Sequence, residues 1–202
     1  MTWPSMILAS ESPRRAELLR QLGIEFRVVS SQVPEIHHEQ LTASEVCQIN
    51  AYRKARAVAK KLPDTLVLAA DTLVYLDTRL FGKPSSLEEA YQMLEDLQGR
   101  THHVVTALCL MHLREHRQRI CAEQTAVTFH DLDAPKIRRY LNRVNPLDKA
   151  GAYAIQEEGD DPLVRVVTGS KTNVIGLPME TLQQTLSWLA SGIGRLPLGD
   201  VR

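Results

Sequence analysis

The sequence carries no excess of charge of either sign. Its 202 residues hold 24 Lys and Arg against 24 Asp and Glu, a formal net charge of zero. No global field therefore draws the chain to nucleic acid or to a membrane surface, so any bound anion must meet a local group of cations. Cysteine is scarce: Cys47, Cys109 and Cys121 show no metal-type spacing. One falls in a helical pattern and two in strand patterns, so reduced packing residues are expected. No apolar run approaches the roughly 18 residues of a membrane span, and the N-terminus lacks a basic region followed by an apolar one. A soluble, cytoplasmic protein is expected. Repeats, low-complexity linkers and coiled-coil runs are missing too. What remains, 44% hydrophobic and 24% charged, is ordinary for a globular chain of one domain or two small lobes sharing a core. The expected division is a domain over residues 1–190 and a tail over 191–202, where Gly and Pro punctuate the sequence.

The chain is organised around residues 6–23, MILASESPRRAELLRQLG. Residues 6–9 form a short apolar run, predicted as a buried strand. After a polar turn, residues 13–22 are predicted as a helix, with Ser12 as N-cap, Pro13 in the first turn and Gly23 as the stop. Arg14 and Arg15 then crowd a helix end that already carries partial positive charge. Two arginines splayed into solvent are the plainer alternative. Directly after a strand and a Ser-Pro cap, an anion site built from backbone N–H groups and guanidinium forks is the favoured reading.

Residues 65–76, TLVLAADTLVYL, give the strongest strand signal. Asp71 interrupts an apolar run of the kind found in central strands, and a carboxylate there needs a partner or a task. It is the best single candidate for a catalytic or metal-binding acid; a strand-end Asp bonded to backbone N–H groups is the structural alternative. Thr42 and Glu45 form a capping box that opens a helix to about Leu62, with Lys54 in its interior. Glu35 follows directly on a short strand at residues 26–29, in a polar loop whose His37 and His38 are read as solvated. Gly82-Lys83-Pro84 makes a tight loop without a Walker pattern. Ser85 with Glu88 is expected to cap a helix ending near Leu97. Residues 102–113 and 120–132 are expected to pair as antiparallel strands across a turn at 114–119. Asp133 caps a short helix through about Val144. A strand at 164–167, a polar loop at 168–173 and a last helix at 179–190 complete the pattern.

LASESPRRAELL, Lys54-Ala55, AADTLV, GKP, DKAGAYAIQ and NVIGLP occur in one recognisable order. Together they resemble the Maf family of nucleoside-triphosphate pyrophosphatases, sometimes called septum-formation proteins, from Ile7 to about Leu189. The resemblance implies an α/β fold similar to the inosine-triphosphatase group: a twisted mixed sheet flanked by helices, with two lobes around a cleft. It implies hydrolysis of a nucleoside triphosphate to the monophosphate and pyrophosphate, aided by Mg²⁺ or Mn²⁺. Asp71 would be the proton acceptor and, with Glu35, a metal ligand. Ser10, Arg14, Arg15, Glu35, Lys54, Thr72, Lys83 and Gln156 would contact substrate. No nucleic-acid or membrane partner is implied, and a homodimer is compatible with it.

Within the family, Arg14, Thr72 and Gln156 resemble the subgroup acting on dTTP and UTP. The subgroup acting on 7-methyl-GTP tends to carry Trp, Gln and Glu at these positions. A Gln amide both donates and accepts, matching a pyrimidine's carbonyl and ring N–H. A 7-methyl-GTP pyrophosphatase, or a nucleotide-binding regulator of septation without turnover, are the competing functions. Two stretches depart from the family pattern: Pro34 replaces an acid before Glu35, and residues 157–161, EEGDD, replace a glycine-rich segment.

Overall fold

Strand β3, Leu66–Leu76, runs through the middle of the molecule. The computed structural model describes residues 5–38, 40–156 and 162–193; residues 157–161, and the tail from 194 on, lie outside the described residues. Before β3 come β1 (Met6–Leu8), α1 (Pro13–Gln21), β2 (Phe26–Val28) and α2 (Ala43–Ala59). After it come β4 (Arg79–Phe81), α3 (Leu87–Leu97), β5 (Thr101–His112), β6 (Arg117–Phe129) and α4 (Ala134–Arg143). A single 3-10 turn at Ala150–Ala152, β7 (Val164–Thr168), α5 (Lys171–Ile175) and α6 (Met179–Ile193) complete the order.

The seven strands form one mixed sheet in the order β2-β1-β3-β5-β6-β7, with β4 added to β3. β1 lies parallel to both β2 and β3, and the remaining pairs are antiparallel. Alternation along β3 divides its side chains between two faces. Val67, Ala69 and Leu73 pack on α2 with Val46, Cys47 and Val58. Leu66, Leu68 and Ala70 pack on the opposite face with Leu18 and Leu19 of α1 and Leu182 and Leu186 of α6. Further along that second face, Val74 and Leu76 join a separate core with Leu94 of α3 and Ile137 and Tyr140 of α4. Two lobes thus share the long strands.

One edge of β3 is fully paired, from Val67 to Tyr75, with β5. The other is not. β1 pairs only with Leu66–Leu68 and β4 only with Val74–Leu76. Between them the edge is open beside Ala70, Asp71 and Thr72, where one lobe gives way to the other. This gap places the cleft.

Several boundaries differ from those expected. The residue after the Asp77 turn re-enters the sheet as β4, a three-residue strand too short to show a period. The cap of α3 is Ser86, whose side chain accepts from Glu89 N–H, while Ser85 instead donates to the Glu89 carboxylate. The Ser-Ser pair permits either register. The β5–β6 hairpin is tighter than predicted, with β6 starting at Arg117, because residues 117–119 are polar and largely exposed and carry no apolar alternation to mark them as strand. Lys171–Ile175, expected as loop, is one helical turn capped by Ser170.

Candidate functional site

The open edge of β3 forms the floor of a cleft of about 460 Å³. Its walls are the β1–α1 turn, the loop after β2 and the segment around the Ala150–Ala152 turn. Ser10, Arg14, Arg15, Glu35, Lys54, Asp71, Thr72, Lys83 and Gln156 all line it, so the structure brings together every site residue expected from the sequence.

Asp71 is buried and faces α2. Its Oδ1 accepts from Lys54 Nζ at 2.6 Å and its Oδ2 from Asn50 Nδ2 at 3.1 Å. The same ammonium donates to Glu35 Oε1 at 2.6 Å, and Lys83 Nζ approaches that oxygen at 3.4 Å. The two carboxylates are therefore held by one shared cation but titrate apart. Burial raises the Asp71 pKa above the ordinary range, opposed by Lys54 and reinforced by the charge of Glu35. Burial pushes Glu35 up as well, but Lys54 and Lys83 outweigh it and bring the group down to about 2. Two neighbouring carboxyls are thus driven in opposite directions, an arrangement that can set a proton-accepting carboxyl beside an ionised one.

The arginine pair at the start of α1 meets protein oxygens. Ser12 caps the helix as expected. Arg14 donates to Asp148 Oδ2 at 2.8 Å and to Asp148 O at 3.0 Å, tying α1 across the cleft to the opposite wall. Arg15 turns inward, from Nε to Gly176 O at 2.8 Å and from Nη1 to Ala70 O at 3.0 Å and Ser10 Oγ at 3.2 Å. Its Nη2 donates to Thr72 Oγ1 at 2.8 Å. Four of the five N–H groups of a guanidinium are thus committed, and Arg15 caps the open edge of β3 at Ala70. Asp148 is a cleft residue that the sequence reading did not single out.

Lys83 is exposed at the tip of its loop. Gly82 lets that loop pass the His37 ring, which lies 3.1 Å from where a Cβ would stand. On the far wall Tyr153 is fixed from below by buried His102, whose Nε2 is 2.8 Å from the phenol oxygen. His102 is driven by burial to a pKa of about 3, so the ring is neutral. Gln156 is exposed at the rim. The cysteines are free thiols, and burial raises the pKa of each.

Among the described residues no group of three or more His, Cys, Asp or Glu could hold a metal ion. Of the carboxylates lining the cleft, Glu35 and Asp71 are the two brought to one point, where they share the Lys54 ammonium. That number suits Mg²⁺ or Mn²⁺, which are commonly held by one or two carboxylates with the rest supplied by water and substrate phosphates.

A family model described as Maf-like protein matches residues 5–189. A dTTP/UTP pyrophosphatase of Pelotomaculum thermopropionicum is 43% identical over 181 residues, 90% of this chain and 94% of the relative. One of Akkermansia muciniphila is 42% identical over 186 residues, 92% of this chain and 97% of the relative. A HAM1 protein from Coxiella burnetii shares the fold at a TM-score of 0.50 and 16% identity, covering 95% of this chain and all of that one. No described helix is long and apolar enough to cross a membrane.

Proposed function

The chain belongs to the Maf-like protein family, and from that premise we propose that it hydrolyses dTTP and UTP to the monophosphate and pyrophosphate. The observation that carries the chemistry is Asp71, a buried carboxylate of raised pKa on the open edge of β3, within 2.6 Å of Lys54 Nζ.

The reaction transfers a nucleotidyl group, through its α-phosphorus, to water. The water oxygen forms a bond to the α-phosphorus, the bond to the α–β bridging oxygen breaks, and pyrophosphate leaves. Asp71 takes the proton lost by water, a task suited to a carboxyl whose basicity is raised by burial. Lys83, the remaining N–H groups of Arg15 and Lys54, and Arg14 once released from Asp148 neutralise the triphosphate as charge moves onto the leaving group. Glu35 and Asp71 would hold Mg²⁺ or Mn²⁺ together with substrate phosphates. The ion would supply charge neutralisation and polarise the attacking water. Gln156, at the rim, reads the base by donating and accepting at once.

A sensor without turnover has no use for a buried proton acceptor, so the enzyme reading is favoured over a regulator of septation. The location we propose is the cytoplasm, where nucleotide substrates occur. Release of pyrophosphate, coupled to inorganic pyrophosphatase, is to be measured over a panel of triphosphates with Mg²⁺ or Mn²⁺. Turnover led by dTTP and UTP is expected. Turnover of 7-methyl-GTP alone overturns the substrate assignment, and no turnover at all overturns the enzyme assignment.

A further inference from the structure

Helix α2 turns its buried face, Val46, Cys47, Ala51, Ala55 and Val58, onto the sheet. Asn50 occupies the same face, three and four residues from its apolar neighbours, and is only 1% exposed. An amide buried in such a stripe costs free energy unless its bonds are made. Asn50 makes three. Oδ1 accepts from Ile36 N at 2.9 Å, while Nδ2 donates to Ile36 O at 3.1 Å and to Asp71 Oδ2 at 3.1 Å.

The two bonds to Ile36 grip both polar groups of one loop residue, as a neighbouring strand would. One turn further along α2, Arg53 Nη1 donates to Pro34 O at 2.9 Å. The backbone is thus held on each side of Glu35 by side chains three residues apart on one helix. Lys54, the next residue, donates to the Glu35 carboxylate. Pro34 has no N–H and Glu35 sits outside any strand or helix, so this loop has little secondary structure of its own to fix it.

Resting on the reading of Asp71 as proton acceptor, we infer that Asn50 is a positioning residue, which locks the Glu35 loop and the Asp71 carboxylate to each other. With Lys54 on Oδ1 and Asn50 on Oδ2, the Asp71 carboxylate cannot rotate about its Cβ–Cγ bond. Its remaining lone pairs keep one direction. The same amide, through Ile36, sets how far Glu35 stands from that carboxylate. Asn50 touches neither substrate nor water in this scheme, and it acts through the two carboxylates.

The test compares wild type with Asn50→Leu, which keeps the branched shape and the number of heavy atoms, suits a helix at least as well, and makes none of the three bonds. Three measurements are made on each: kcat for dTTP, binding stoichiometry of UTP carrying a carbon bridge between the α- and β-phosphorus, and hydrogen exchange at the Ile36 amide. In Asn50→Leu the analogue should still bind one per chain, kcat should fall about a hundredfold, and Ile36 should lose protection while the α2 amides keep theirs. A kcat within about threefold of wild type, with Ile36 deprotected, overturns the inference. So does a kcat that falls only in proportion to the binding stoichiometry, which signals lost folded protein. Should Asn50→Leu fail to fold, Asn50→Ser, whose hydroxyl is too short for the Ile36–Asp71 bridge, is judged by the same outcomes. Absence of dTTP turnover in wild type would instead count against the proposed function, and the Ile36 exchange result would still report the clamp.

Discussion

Arg15 Nη2 donates to Thr72 Oγ1 at 2.8 Å, joining the first turn of α1 to the residue beside the candidate proton acceptor. The bond fixes more than position. Thr106 Oγ1 donates its one hydrogen to Asn173 O at 2.9 Å, so across the 3.0 Å contact Thr72 must donate to Thr106. Thr72 therefore receives from Arg15, gives to Thr106, and offers the cleft only an acceptor lone pair. Arg15 is thus a structural part as well as the phosphate clamp proposed for it. Arg15→Ala leaves Ala70 O and Gly176 O without their donor and should lower unfolding free energy by about 2–3 kcal/mol, with turnover of all substrates reduced. Arg14→Ala loses a pair with half-exposed Asp148 and should cost about 1 kcal/mol or less, while changing the ratio of dTTP to 7-methyl-GTP turnover. Urea titrations beside the substrate panel separate the two arginines. Equal stability losses would contradict the division.

Asp71→Asn keeps the shape and an acceptor for Lys54 but cannot take a proton. Turnover of dTTP and UTP should fall at least a thousandfold, the upper range of general-base contributions. The fold should survive, because burial already disfavours the ionised carboxylate in the native state. Near-normal activity in a variant with an unchanged circular dichroism spectrum would remove Asp71 from the chemistry.

Glu35 is held at about 2 against an ordinary value of 4.5. The unfolded chain therefore binds the proton more readily than the native one. The stabilisation from ionised Glu35 is present above about pH 4.5 and is lost as pH falls toward about 2. Asp71 works in the opposite sense: its raised value makes ionisation unfavourable to the fold as pH climbs above the usual carboxylate range. In EDTA, urea midpoints recorded between pH 5 and roughly pH 2.5 should drop more steeply for wild type than for Glu35→Gln. Parallel curves would show that Lys54 and Lys83 do not hold Glu35 ionised.

At the rim, Gln156→Glu replaces a group that donates and accepts with one that only accepts. Loss of the donated bond should reduce kcat/KM for dTTP and UTP about tenfold or more. 7-Methyl-GTP, with an N–H-rich edge, should lose less. Unchanged selectivity would take Gln156 out of base reading.

Much of this site was legible because its residues break local rules. Asp71 stands in an apolar strand, two arginines stand at a helix start, and Gly82 and Pro84 bracket Lys83. Such conflicts are visible in one dimension. Asn50 and Asp148 were not legible for the opposite reason. Asn50 follows the i, i+3, i+4 stripe of α2 faithfully, and the signal was there in an amide among Val46, Cys47 and Ala51. An apolar count along α2 passes over it, because an amide adds nothing to the stripe and Ile49 beside it is only half-buried. Asp148 acquires its meaning from Arg14, 134 residues away. The sequence marks both arginines alike, yet one faces a carboxylate across the cleft and the other the bare edge of β3. That edge depends on where β1 stops and β4 starts, a pairing register that no local pattern specifies. Strand β4 and helix α5 were missed because three to five residues are too few to show a period.

Gly151 provides a test of the cleft wall that does not depend on the chemistry. Its φ is +68°, and a Cβ would stand 2.9 Å from Val74 Cγ2 and 3.2 Å from Val74 Cβ. Its N–H donates to Gly82 O at 3.0 Å, linking the wall to the loop that carries Lys83. Ala at this position pays for a left-handed backbone and presses on a β-branched side chain with little freedom to move. Gly151→Ala should therefore lose about 2–4 kcal/mol of stability. The loss has two separable parts. In a Val74→Ala background the clash disappears and only the backbone part remains, so the double mutant should be more stable than the sum of the single losses by about 1 kcal/mol or more. Strict additivity would mean that Val74 does not form the surface against which the Ala150–Ala152 turn is seated.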